Sequence, residues 1–183
     1  MADVEPRRKP PRFKVGRPVL HPQLHLERDT DYVACFQEVS RIQVHMDRYG
    51  RTLEEELRKA KLCLDMGSFQ AAIDAAKSAI DLDYRSIEAH WLNATANLGL
   101  ALVLLHVWNG GPGEGQHVGD DTRPEDCVEE ARTSVKACVR LTERRDEEAV
   151  QLLDYLSTVL SARLTGKRLA DALATLPDSS GNQ

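Results

Sequence analysis

Residues 53–84 read LEEELRKAKLCLDMGSFQAAIDAAKSAIDLDY, two apolar stripes divided by one glycine. On the first, Leu53, Leu57, Ala60 and Leu64 recur every three or four residues, and on the second Phe69, Ala72, Ile73, Ala76 and Ile80 follow the same rhythm. That is the period of one face of an α-helix. Gly67 stands where the first helix must stop, because glycine takes a left-handed C′ conformation without the Cβ penalty. Ser68 is placed to cap the second helix, and Thr52-Leu53-Glu54-Glu55 reads as a capping box that opens the first. The stretch predicts an αα-hairpin of about 32 residues.

Working outward, residues 30–49 turn helical, with Tyr32, Phe36, Val39, Gln43 and Met46 near one face and Cys35 and Ile42 beside it. Gly50 ends that helix at C′. Beyond the hairpin, Ser86 can cap a long helix over 87–108, whose apolar run Leu98 to Leu105 spans only eight residues. A membrane-spanning helix needs about 20 apolar residues, so this segment is read as a buried core helix. Residues 109–124, NGGPGEGQHVGDDTRP, hold five glycines and two prolines and form a loop. Thr122-Arg123-Pro124-Glu125 offers a second capping box to the helix that follows. A last long helix starts near Asp146 with Ala149, Leu153, Leu156, Leu160 and Leu164 on one face. Gly166 kinks or ends it, and Leu169, Ala172, Leu173 and Leu176 make a short further stripe before a frayed end.

The hairpin resembles one tetratricopeptide (TPR) repeat. Ala60, Gly67, Phe69, Ala72, Ala79 and Asp83 fill the family's small, glycine, aromatic, small, small and closing-aspartate places, with Tyr84 where the family closes on proline. The pattern returns at Ala89 and Ala94, and Ala131, Val135, Cys138 and Leu141 fall as Ala72, Ala76, Ala79 and Leu82 do. The second repeat is thus split by an insertion. The resemblance implies an all-α fold, a TPR-like stack of antiparallel helix hairpins with N- and C-terminal capping helices. Residues 1–28 would be a basic Pro-rich extended arm, 29–165 the TPR-like domain with insertion loop 109–124, and 166–183 a short C-terminal helix and flexible tail.

The chain has 183 residues, 42% apolar and 29% charged, with net charge −5, the composition of a soluble globular domain. Residues 1–28 carry seven Lys/Arg against three acidic residues, about +4, leaving about −9 for the body. Arg7, Arg8, Lys9, Arg12 and Lys14 supply the arm's charge and Phe13 an apolar anchor, so the arm is expected to order on a partner, the alternative being that Val19 to Leu26 packs on the protein's own helices. Cys35, Cys63, Cys127 and Cys138 lie in predicted helices without CxxC spacing, as buried thiols do, which suits a reducing compartment. Cytoplasm is the expected location, with nucleus and mitochondrial matrix as alternatives.

Chemistry is sparsely signalled. The six histidines form no HExxH or Cys/His cluster, and GGPGEG lacks a GK[ST] ending and follows a helix, not a strand. No Gly-x-Ser-x-Gly elbow occurs. The acidic runs read as solvated helix faces. No enzyme, metal, cofactor or small-molecule substrate is therefore expected. A TPR resemblance implies a non-catalytic protein–protein interaction module, an adaptor or structural subunit of a larger assembly. The places of the family's carboxylate clamp hold Leu57, Lys61 and Leu92, so its groove is expected to take an apolar helix or extended segment between acidic rims. The alternative is a nucleic-acid-associated protein using its basic arm. More distant is a likeness of layout to the plant mitochondrial import receptor that reads presequences, which also carries an insertion within its repeat.

Overall fold

A computed structural model describes residues 32–108, 122–164 and 166–174. Among these the chain forms seven helices and no strand: α1 (Tyr32–Tyr49), α2 (Leu53–Asp65), α3 (Phe69–Leu82), α4 (Ile87–Trp108), α5 (Pro124–Leu141), α6 (Glu147–Ser161) and α7 (Lys167–Ala174). The basic arm, most of the insertion and the C-terminal end lie outside the described residues, as does the side chain of Tyr32. Each helix from α1 to α5 packs on its successor. In addition α2 touches α4, and α7 returns to α4.

The helix ends follow from local chemistry, with three corrections. Thr52 caps α2 by accepting from the Glu55 amide at 3.3 Å while its hydroxyl donates to the Glu55 carboxylate at 2.8 Å, two bonds that tie the first turn to its cap. Gly67 adopts φ 71°, and the Ser68 amide reaches back to the Cys63 carbonyl at 2.8 Å, closing α2 in a Schellman turn. Ser68 does precede α3, but its side chain makes no cap bond. Neither does α5 use Thr122: its N-cap is Arg123, and Pro124 already belongs to the first turn. Proline's fixed φ suits that turn and its missing N–H costs nothing there, so the loop ends one residue earlier than the sequence suggests. Finally, α6 stops at Ser161 with Arg163 at φ 49°, and Gly166 instead opens α7 through its carbonyl, 3.0 Å from the Ala170 amide.

The core is continuous through α2 to α7. Its centre is α4, where every residue from Trp91 to Leu102 is buried. The reason is its position: α2, α3, α5 and α7 all pack against it, and a helix covered on all sides can be apolar on all sides. No described helix is long and apolar enough to cross a membrane. The small residues singled out in the sequence sit at the crossings: Ala60, Ala72, Ala79, Ala89, Ala94, Ala131 and Cys138 are at most 1% exposed. Asp83 is the extended C-cap of α3.

Two faces are rotated from expectation. On α1 the buried line is Cys35, Ile42 and Met46, whereas Phe36 is 67% exposed along with Val33 and Val44. On α6 the buried line is Ala149, Leu152, Leu156 and Val159, with Leu153 and Leu160 at its margin. Both helices carry apolar residues on more than one face, so period alone leaves the angle of contact open. Leu169 and Leu173 of α7 join the same core, and the Tyr155 hydroxyl donates to the Ala172 carbonyl to tie α7 to α6.

Candidate functional site

Helices α3 and α5 both pack on α4 and leave between them a groove of about 920 Å³. Its wall on α3 carries Lys77 and Ile80, and α4 contributes His90 and Asn93. The other wall is α5 from Glu130 to Arg140, continued by the turn at Glu143 and Arg144, with Leu153 of α6 behind it. Ile80, Ala137, Val139 and Leu153 give the groove an apolar surface.

A buried polar network underlies that surface. The Asn93 amide donates to Ser134 Oγ at 2.8 Å, joining α4 to α5, and the Asn97 amide donates to the Asn93 carbonyl at 2.9 Å and to Asn93 Oδ1 at 3.1 Å. All three residues are buried, and Asn93 and Ser134 both line the groove. His90 Nε2 donates to the Tyr84 carbonyl at 3.0 Å, which orients the ring at the groove's α4 side.

The rim is basic, contrary to the acidic rims expected. Lys77, Lys136, Arg140 and Arg144 line it against Glu130 and Glu143. Lys77 lies 3.8 Å from Glu130, and Glu143 is taken by Arg145 at 3.0 Å. No acidic group among the described residues pairs with Lys136, Arg140 or Arg144. A net charge of the whole chain says nothing about which helix face carries which sign. Lys136 and Arg140 are one turn apart at the C-terminal end of α5, where the helix dipole favours cations.

Arg144 reaches the rim by an unusual backbone. It and Glu143 both lie in the left-handed region, at φ 63° and 53°, and the Arg144 amide closes α5 by bonding the Val139 carbonyl at 2.8 Å. Left-handed non-glycine residues cost roughly 1–2 kcal/mol each, so glycine would be the cheaper occupant of this turn.

Elsewhere the polar chemistry is structural. Lys61 pairs with Glu88, and Leu92 is buried, so the clamp positions are absorbed by α2–α4 packing. Burial pushes the Cys63 and Cys127 thiols up to about 11 and Cys138 up to about 12, away from nucleophilic use. All four cysteines are buried. Among the described residues no cluster of three His, Cys, Asp or Glu side chains is placed to hold a metal. Glu56 departs from the solvated-face reading of the acidic runs: it is 2% exposed, its Oε2 has no hydrogen-bond partner among the described residues, and Arg51 stands 3.7 Å from Oε1.

Arg7, Arg8, Lys9, Arg12, Phe13 and Lys14 lie outside the described residues. The sequence reading did not find the groove residues Asn93, Ser134, Lys136, Arg140 and Arg144. The three cations among them are signalled only by their four-residue spacing in KACVRLTER, residues 136–144. The chain matches no protein-family model, no curated protein and no solved structure.

Proposed function

We propose that the protein is a non-catalytic, TPR-like interaction module, an adaptor or structural subunit that holds a partner polypeptide in the groove between α3 and α5. The observation that carries this reading is the groove itself, an apolar surface edged by Lys136, Arg140 and Arg144, which pair with no acidic group among the described residues. Such a surface combines the features of peptide grooves, apolar pockets for anchoring and polar groups for register. Buried small residues where successive hairpins cross support the TPR-like reading, and the α2–α4 contact beside α2–α3 and α3–α4 is what stacked hairpins require. A basic presequence would be repelled by this rim, which sets the import-receptor likeness aside. The buried free thiols Cys63, Cys127 and Cys138 fit a reducing compartment.

The test is photo-cross-linking from an unnatural side chain at Ala137, which lines the groove, with the same probe at exposed Ala71 of α3 as the control. A polypeptide captured at position 137 and not at 71 is the expected result. Capture of nucleic acid at 137, or equal capture at both sites, overturns the reading.

A further inference from the structure

The groove's chemistry narrows its occupant, given the interaction-module reading on which this inference rests. We infer that it receives an acidic polypeptide segment with aliphatic side chains interspersed among its carboxylates.

Three observations converge on that ligand. The first is charge. In a chain of net charge −5, Lys136, Arg140 and Arg144 gather on one rim with no acidic group of the described residues paired to them. Partners are steered and registered by complementary charge, so the rim selects carboxylates. The second is spacing. Lys136 and Arg140 are one helical step of about 6 Å apart along α5, close to the roughly 6.6–6.8 Å between same-side residues of an extended chain. Acidic residues at alternate positions of an extended segment meet that period, and the residues between them turn to Ile80, Ala137, Val139 and Leu153. The third is the turn. Two successive left-handed non-glycine residues, Glu143 and Arg144, hold a costly backbone at the mouth of a groove, the situation in which local strain serves a site. What that turn delivers is the Arg144 guanidinium, the group best suited to a carboxylate.

Nucleic acid fits less well. Among the described residues no Phe, Tyr or Trp lines the groove, and its one imidazole, His90, is tied to the Tyr84 carbonyl, whereas single-strand readers stack bases on several aromatic rings.

A random-peptide display selection on the immobilised full chain tests this directly, with a polyuridine oligonucleotide as a second probe. The expected result is enrichment of peptides rich in Asp and Glu with interspersed Val, Ile or Leu. A labelled representative should bind at least tenfold more weakly, about 1.4 kcal/mol, to the Lys136→Glu/Arg140→Glu variant. Both positions are exposed, and unchanged helicity would confirm that the variant folds. Arg144→Gly serves as a second variant: it relaxes the left-handed backbone, so peptide binding should fall while the melting temperature holds or rises. Enrichment of neutral or basic peptides that compete at the groove overturns the acidic ligand and leaves the interaction module standing. Binding of the acidic peptide unaltered by both variants also overturns it. Enrichment of no peptide, or polyuridine binding abolished by the charge reversal, overturns both.

Discussion

The ring of Phe69, the first residue of α3, lies on the backbone of Gly99 in the middle of α4. A Cβ at position 99 would come within 2.3 Å of Phe69 Cε1 and 2.6 Å of Cδ1. The aromatic place of the hairpin and a helix-interior glycine thirty residues on form one contact, and each explains the other. Gly99→Ala gains about 1 kcal/mol of helix propensity, yet overpacking of a well-filled contact costs about 1–3 kcal/mol. Phe69 is 1% exposed and has little room to withdraw. The expected outcome is a net loss of stability in urea denaturation. Gly99→Ala should cost less in a Phe69→Leu background, and a double-mutant cycle measures that coupling.

Glu56 should make the protein less stable at neutral pH than its fold requires. Desolvation raises its pKa above 4.5, outweighing the nearby positive charges of Lys59 and Arg51. The folded state therefore keeps its proton to a higher pH than the unfolded state does. Stability then falls as pH rises from about 4.5 through the folded pKa. Glu56→Gln removes this slope and should stabilise the protein at pH 7 by on the order of 1 kcal/mol. Chemical denaturation of both proteins from pH 4 to 7 checks it, and a slope unchanged by the substitution counts against it.

The Asn93–Ser134 bond sets how α4 meets α5. Asn93→Leu leaves the Ser134 hydroxyl and the Asn97 amide without this partner in a buried setting, at a cost of about 1–3 kcal/mol. Ser134→Ala should cost less, because it orphans only the Asn93 Nδ2 donor and leaves the Asn97 bond to Asn93 Oδ1 in place. Melting curves for the two variants rank them.

The thiols provide a probe of opening. With Cys63 and Cys127 raised to about 11 and Cys138 to about 12, a disulfide reagent at pH 8 should modify the denatured chain rapidly and these three sites in the native protein slowly. The raised values also predict stability falling as pH climbs above the ordinary thiol value of about 9, because unfolded thiols ionise first. Rapid native labelling of Cys138, which donates to the Ile87 carbonyl, would show that α4 and α5 separate readily.

Much of the fold is written locally. The hairpin, the ends at Gly50 and Gly67, the capping box at Thr52, the Ser86 cap and the extent of the helix over 87–108 all follow from residues within a turn of one another. Short-range sterics and hydrogen bonds act on neighbours in the chain, so neighbours suffice to read them. The rotation of α1 and α6, the burial of Glu56, the Phe69–Gly99 contact and the basic groove depend on residues brought together from far apart. Lys77 and Glu130 share that rim although 53 positions separate them. Only the packing of α3 and α5 on α4 decides which faces meet, because burial and electrostatics depend on distance in space and the sequence orders residues only along the chain.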